Sequence, residues 1–226
     1  MTLHPSQPPA GALHAVHAAL GSEVALRQPA AAVLRHGDLA PQPALALPVH
    51  TLRGPAPRLA AADRTGWRFL VRAGAQDQAD NPPAEPGCPP AGRAAEPGES
   101  AAGEGAVFSE EALAGVAAAA EVVQTADGPL FSHFTAGPYL DSAVRALRQA
   151  WQLTQGAPSP YEPRLLSLPD HYATALWLHS GHPGEDLLIP LAPAPLGVTA
   201  HQVLPAAELL ARLEHSPAAR PTALIG

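Results

Sequence analysis

Residues 161–195 read YEPRLLSLPDHYATALWLHSGHPGEDLLIPLAPAP, and this stretch decides the fold. It is the densest apolar run outside the helical segments, and it carries Tyr161, Tyr172 and Trp177. Turn residues cut it into three pieces of strand length. Arg164 to Leu168 forms one strand, Tyr172 to Ser180 a second and Asp186 to Leu191 a third. Pro169-Asp170 supplies the first bend, and Gly181 to Gly184 the second. The runs LWL and DLLIPL suit an inner hairpin covered on both faces. Pro190 points to an edge or a strand terminus, because proline cannot donate to a ladder.

Working outward, Gly137-Pro138 opens the best helix of the chain, with Leu140, Ala143, Val144, Leu147, Trp151 and Thr154 on one stripe. Pro205 to Glu214 predicts a closing amphipathic helix. Further back, Ser109 can cap a helix that begins with Glu110 and Glu111 and runs to about Ala119. Glu121 to Thr125 and Leu130 to Phe134 flank Asp127-Gly128, a hairpin signal, and Pro129 implies a longer or bulged loop. In TGWRFLVR, Trp67, Phe69 and Val71 alternate with Arg68, Leu70 and Arg72, the period of a half-buried strand. Ala40 to Val49 is extended by its prolines and suits an edge strand or a wrapping loop. Gly11 to Leu20 and a second helix capped by Ser22 and split at Pro29 resemble a helical hairpin, preceded by a frayed end at 1–9.

The expected architecture is an α+β fold: an antiparallel sheet of about five strands, helices mainly on one face, and a small N-terminal helical region. The expected divisions are a helical region at 1–37, the start of the α+β domain at 38–72 and its main part at 107–216. A tail follows at 217–226. Between the two domain parts, 73–106 contains no Leu, Ile, Val, Phe, Tyr or Trp and reads as an acidic, Pro/Gly-rich disordered insertion.

Composition narrows the function. All 13 basic residues are arginine, so neither lysine Schiff-base chemistry nor a P-loop lysine is available. Of the net charge of −7, the segment from Ala73 to Gly105 holds −5, six acids against Arg93 alone. No basic surface is left for tracking phosphates, so no nucleic-acid partner is expected. Cys88 is the only cysteine, which leaves no intrachain disulfide and no CxxC motif. Prolines at 5, 8 and 9 break any signal-like start, and no window approaches the ~18 apolar residues of a membrane span. The expectation is a soluble cytoplasmic protein with no membrane partner.

WRFLV at 67–71, FSHFTAGPYLDSAVRAL at 131–147, RLLSLPDHYATALWLH at 164–179 and DLLIPLAPAP at 186–195 together resemble an uncharacterised bacterial family common in cyanobacteria. The resemblance covers roughly Pro48 to Leu213 without the acidic insertion, and departs at Phe134-Thr135-Ala136. It implies a domain of this kind and brings no activity, cofactor or catalytic residue.

The chemistry-bearing candidates are histidines and aromatic residues. His14/His17 and His179/His182 have i,i+3 spacing, but zinc needs a third ligand, so no metal and no cofactor are assigned. Ser132, His133, Asp170 and His171 would have to serve a hydrolase, yet no G-x-S-x-G elbow is present and no catalytic residue is assigned. Tyr139, Tyr161, Tyr172 and Trp177 could line a small-molecule pocket at a sheet end. The candidate binding residues are therefore His133, Tyr139, His171, Tyr172, Trp177, His179 and His182. The first expectation is a non-catalytic protein-binding or adaptor module with a protein partner. A small-molecule sensor, or a small hydrolase-like enzyme using histidines near 171–186, stands as the alternative.

Overall fold

The computed structural model describes residues 3–35, 39–54, 57–74, 108, 110–157 and 159–215. The chain builds a mixed α+β structure around one sheet of eight strands in the order β4-β3-β2-β1-β5-β6-β7-β8. These are β1 (Leu39–Thr51), β2 (Asp63–Gly74), β3 (Val116–Thr125), β4 (Gly128–Thr135), β5 (Glu162–Leu168), β6 (Ala173–His179), β7 (Leu187–Pro190) and β8 (Leu204–Pro205). The helices are α1 (Ala10–Leu20), α2 (Glu23–Leu26), α3 (Pro138–Thr154) and α4 (Ala206–His215).

Two expectations of the sheet are corrected. It has eight strands, and it is mixed: β1 and β5 run parallel, with Val49, His50 and Thr51 beside Leu165, Leu166 and Ser167. Parallel neighbours cannot be joined by a tight hairpin; here β2, β3, β4 and the 17-residue α3 lie between β1 and β5 in the chain. The other ladders are antiparallel.

The third correction concerns the layers. Helices cover both faces. On one face α3 buries Leu140, Ala143, Val144, Leu147 and Ala150 against Leu47, Leu70, Leu165, Leu176 and Ile189. On the other, α1 covers Trp67, Phe69 and Ala120, while α4 covers Leu166, Trp177 and Leu188. The strands demand this, since β2 buries Trp67, Phe69 and Val71 on one side and Leu70 on the other.

Local departures have local causes. β1 is an internal strand despite Pro41, Pro43 and Pro48, because β5 pairs with it only from Val49 onward, so among the described residues the proline-bearing part has β2 as its only strand neighbour. The helix expected from 110 to 119 stops as a 3-10 turn at Leu113, and Gly115, at φ 68°, turns the chain into β3. Ala118, Ala119 and Ala120 then lie fully buried in the strand between α1 and α3, where small side chains fit. The start of the chain is pinned: Leu3 is fully buried and the His4 N–H donates to the Tyr161 carbonyl at 2.9 Å. Cys88 and residues 75–107 lie outside the described residues, although β2 and β3, which flank that segment, are neighbours in the sheet.

Gly66 marks the closest approach of β2 to β3. A Cβ there would stand 2.1 Å from the Val122 carbonyl oxygen, a backbone atom that cannot swing aside. Gly66→Ala is therefore expected to lower the unfolding free energy by about 1–3 kcal/mol. Urea denaturation with an unchanged m-value checks this, and an unshifted midpoint contradicts the packing.

Candidate functional site

The strand period of two puts Trp177 and His179 on the same face of β6, beneath α4. Antiparallel pairing sets Arg164 opposite Trp177 and Glu162 opposite His179. One indole thus becomes the centre of a polar group. The Arg164 guanidinium carbon lies 4.8 Å from its ring centroid, within cation–π range. His50, brought in by the parallel seam, meets it edge-on at 5.3 Å, and His179 does so at the same distance.

Each charge in the group has a partner. Arg164 Nη2 is 2.6 Å from Glu162 Oε2, and Ser6 Oγ donates to the other carboxylate oxygen of Glu162. Asp186 Oδ1 accepts from the Ser180 N–H at 2.9 Å and lies 3.1 Å from His179 Nδ1, which fixes the orientation of that ring. Burial pushes Glu162 up, but hydrogen bonds from Arg164 and Ser6 and the guanidinium charge outweigh it and hold the carboxyl below its ordinary range. Burial, then the charge of Arg164, pushes His50 down. Three buried polar atoms here have no hydrogen-bond partner among the described residues: His50 Nδ1, Arg164 Nε and Trp177 Nε1. Such groups cost about 1–3 kcal/mol each.

In front of Trp177 lies a recess of about 540 Å³. Its floor is Trp177, His179 and Asp186; its walls are Leu59 and Ala60 on one side and α4 on the other. The space exists because α4 presents Ala206, Ala207 and Ala211 around a single Leu210. Arg58 and Glu214 also line it.

Of the seven residues expected from the sequence, five line openings on the two faces and two do not. Trp177 and His179 enter the recess. Tyr139 and Tyr172 line a separate cavity on the α3 face, and His133 lines a small groove beside Arg68 and Glu121 on that same face. His171 is buried at the β5–β6 link, with Nε2 unpartnered among the described residues. His182 is exposed in the β6–β7 turn, its Nδ1 4.0 Å from Glu185. Tyr161 packs half-buried against the α3-side core. Asp170 accepts the Gly54 N–H at 2.7 Å, while Ser132 and His133 contact only each other, at 3.0 Å, among their described hydrogen bonds. Among the described residues no three His, Cys, Asp or Glu side chains gather as a metal ion would require, and no helix is long and apolar enough to cross a membrane.

His50, Glu162 and Arg164 escaped the sequence reading. The one available signal was Glu162-Pro163-Arg164, two charges at strand period opening an otherwise apolar strand. The comparisons with known proteins add no relative: no family model, no curated protein and no solved structure matches this chain.

The lowered groups make stability pH-dependent. His50 and His201, the latter also depressed by burial and by Arg145, titrate below 6.5 when folded, so the unfolded chain takes up those protons first. Stability is complete above about pH 6.5 and falls as pH drops through that value. A second loss follows below about pH 4.5 as Glu162 protonates. Thermal melts across this range check the profile: His50→Gln is expected to shrink the upper loss while leaving the His201 part, and an unaltered profile counts against it.

Proposed function

We propose that this chain is a non-catalytic small-molecule-binding protein, its ligand lying in the recess between α4, residues 57–60 and Trp177. The observation that carries the reading is the recess: about 540 Å³, walled by Leu59, Leu210 and alanines over an indole, with the oriented His179–Asp186 pair at one place. Small-molecule sites are of this size and kind, mostly apolar with a few fixed polar groups.

This ranks the sensor above the adaptor. The adaptor reading would use an exposed edge strand or the acidic insertion, and residues 75–107 of the insertion lie outside the described residues. The enzyme reading needs a reacting group at the far nitrogen of His179. The ring contact with Trp177 and the apolar walls favour holding a ligand over attacking one.

Native mass spectrometry of protein gently purified from its own host tests the proposal. A mass excess that vanishes on denaturation is expected. Ala207→Trp, which fills the recess from an exposed position on α4, is expected to abolish that excess with little change in Tm. A bare wild-type mass, or an excess that persists in folded Ala207→Trp, rejects the recess as the ligand site.

A further inference from the structure

On the sheet face opposite the recess, a cavity of about 360 Å³ is lined by Arg68, Thr135, Tyr139, Tyr172, Thr174 and the 191–193 segment. Two of the chain's three tyrosines stand at it, and both rings are left in water, 60% and 72% exposed. Tyr172 is held there against its own backbone preference, at φ 48° and ψ 39°. For a bulky side chain this left-handed conformation is an outlier. Structure on either side enforces it: the Tyr172 N–H donates to the Pro169 carbonyl at 3.1 Å, and Asp170 clamps the same turn to the Gly54 N–H at 2.7 Å. Nothing in the packing rewards the exposed ring, and strain retained with no gain in packing is a signature of a ligand site.

The remaining lining specifies the ligand. Arg68 Nε meets Glu121 Oε1 at 2.5 Å, and both side chains are mostly buried, 19% and 13% exposed. Thr135 Oγ1 stands 3.4 Å from the same carboxylate oxygen. The pair is neutral as a unit, so it offers no net field for an anion or a cation. It leaves the other N–H groups of Arg68 as donors and the Thr135 and Thr174 hydroxyls as donors or acceptors on the cavity lining, while Glu121 lines the neighbouring groove. A wholly apolar ligand would leave those groups unsatisfied. A neutral sugar suits both parts: its hydroxyls pair with adjacent donors and acceptors, and its flat C–H face lies against tyrosine. We propose that this cavity binds a neutral saccharide, with Tyr139 and Tyr172 as stacking residues and Arg68 and the two threonines as hydroxyl partners.

The test uses the full chain and saturation-transfer NMR with methyl glucoside, methyl galactoside, methyl mannoside, maltose, cellobiose and lactose, and adenosine as a planar aromatic control. Saturation transfer to at least one saccharide is expected. Tyr172→Ala and Tyr139→Ala, both surface changes, are each expected to weaken it at least tenfold. Tyr172→Gly is expected to abolish the signal and raise the Tm together, because glycine relieves the left-handed strain; a residue of merely structural value would not separate the two readouts in this way. Ala207→Trp is expected to leave saccharide binding unchanged, which keeps this result independent of the recess. The proposal is overturned if no saccharide of the set binds, if binding survives both tyrosine truncations, or if adenosine alone binds with the tyrosine dependence.

Discussion

Three parallel residue pairs join the two antiparallel halves of the sheet. Val49, His50 and Thr51 lie beside Leu165, Leu166 and Ser167, and the Leu52 N–H adds a bond to the Ser167 carbonyl at 2.9 Å. On one side of that seam β1 to β4 form an antiparallel run, and on the other β5 to β8 form a second. The seam fixes the register between them, and a slip of one residue would turn every β5 side chain to the opposite face. Leu165 would then leave the α3 core, and Arg164 would leave Trp177.

The seam also creates the candidate site. His50 comes from the first half, while Arg164, Trp177 and His179 come from the second, and they meet only because β1 and β5 are neighbours. The fold accepts three buried atoms there that are unpartnered among the described residues and satisfies the charges around them, with Ser6 reaching in from the N-terminal segment to Glu162. Apolar burial by Leu166, Leu188, Leu209 and Leu213 in the same cluster offsets that cost.

Covering helices on both faces leave two openings of different character. Beneath α4 the alanines open an apolar recess. On the α3 face, Arg68, Thr135 and Thr174 line a polar cavity beside two exposed tyrosines. The difference follows from what lines each opening. Short side chains leave space over an apolar strand surface, while polar residues of β2, β4 and β6 line the other opening.

Much of the fold was legible in residues. The alternation of Trp67, Phe69 and Val71 marks β2, the stripe from Leu140 to Thr154 marks α3, and the cut run at 161–195 marks β5, β6 and β7. These signals are local: a period of two or 3.6 is carried by neighbours in the chain. The proline-rich β1 and the alanine-rich β3 were misread because each is decided by its surroundings. Prolines are tolerated where β1 lacks a second strand neighbour among the described residues, and alanines are required where two helices press on β3. Of the candidate site, Trp177 and His179 could be chosen as aromatic and titratable residues in the right run, whereas His50 could not. It lies 127 positions from Trp177, and only strand order makes them neighbours. The sequence by itself thus determined the helices, most strands and the dense apolar run, because those depend on the spacing of residues along the chain. Tertiary structure alone decided the strand order, the parallel seam and the division of the aromatic residues between two faces, because those depend on contacts between segments whose separation carries no periodic signal.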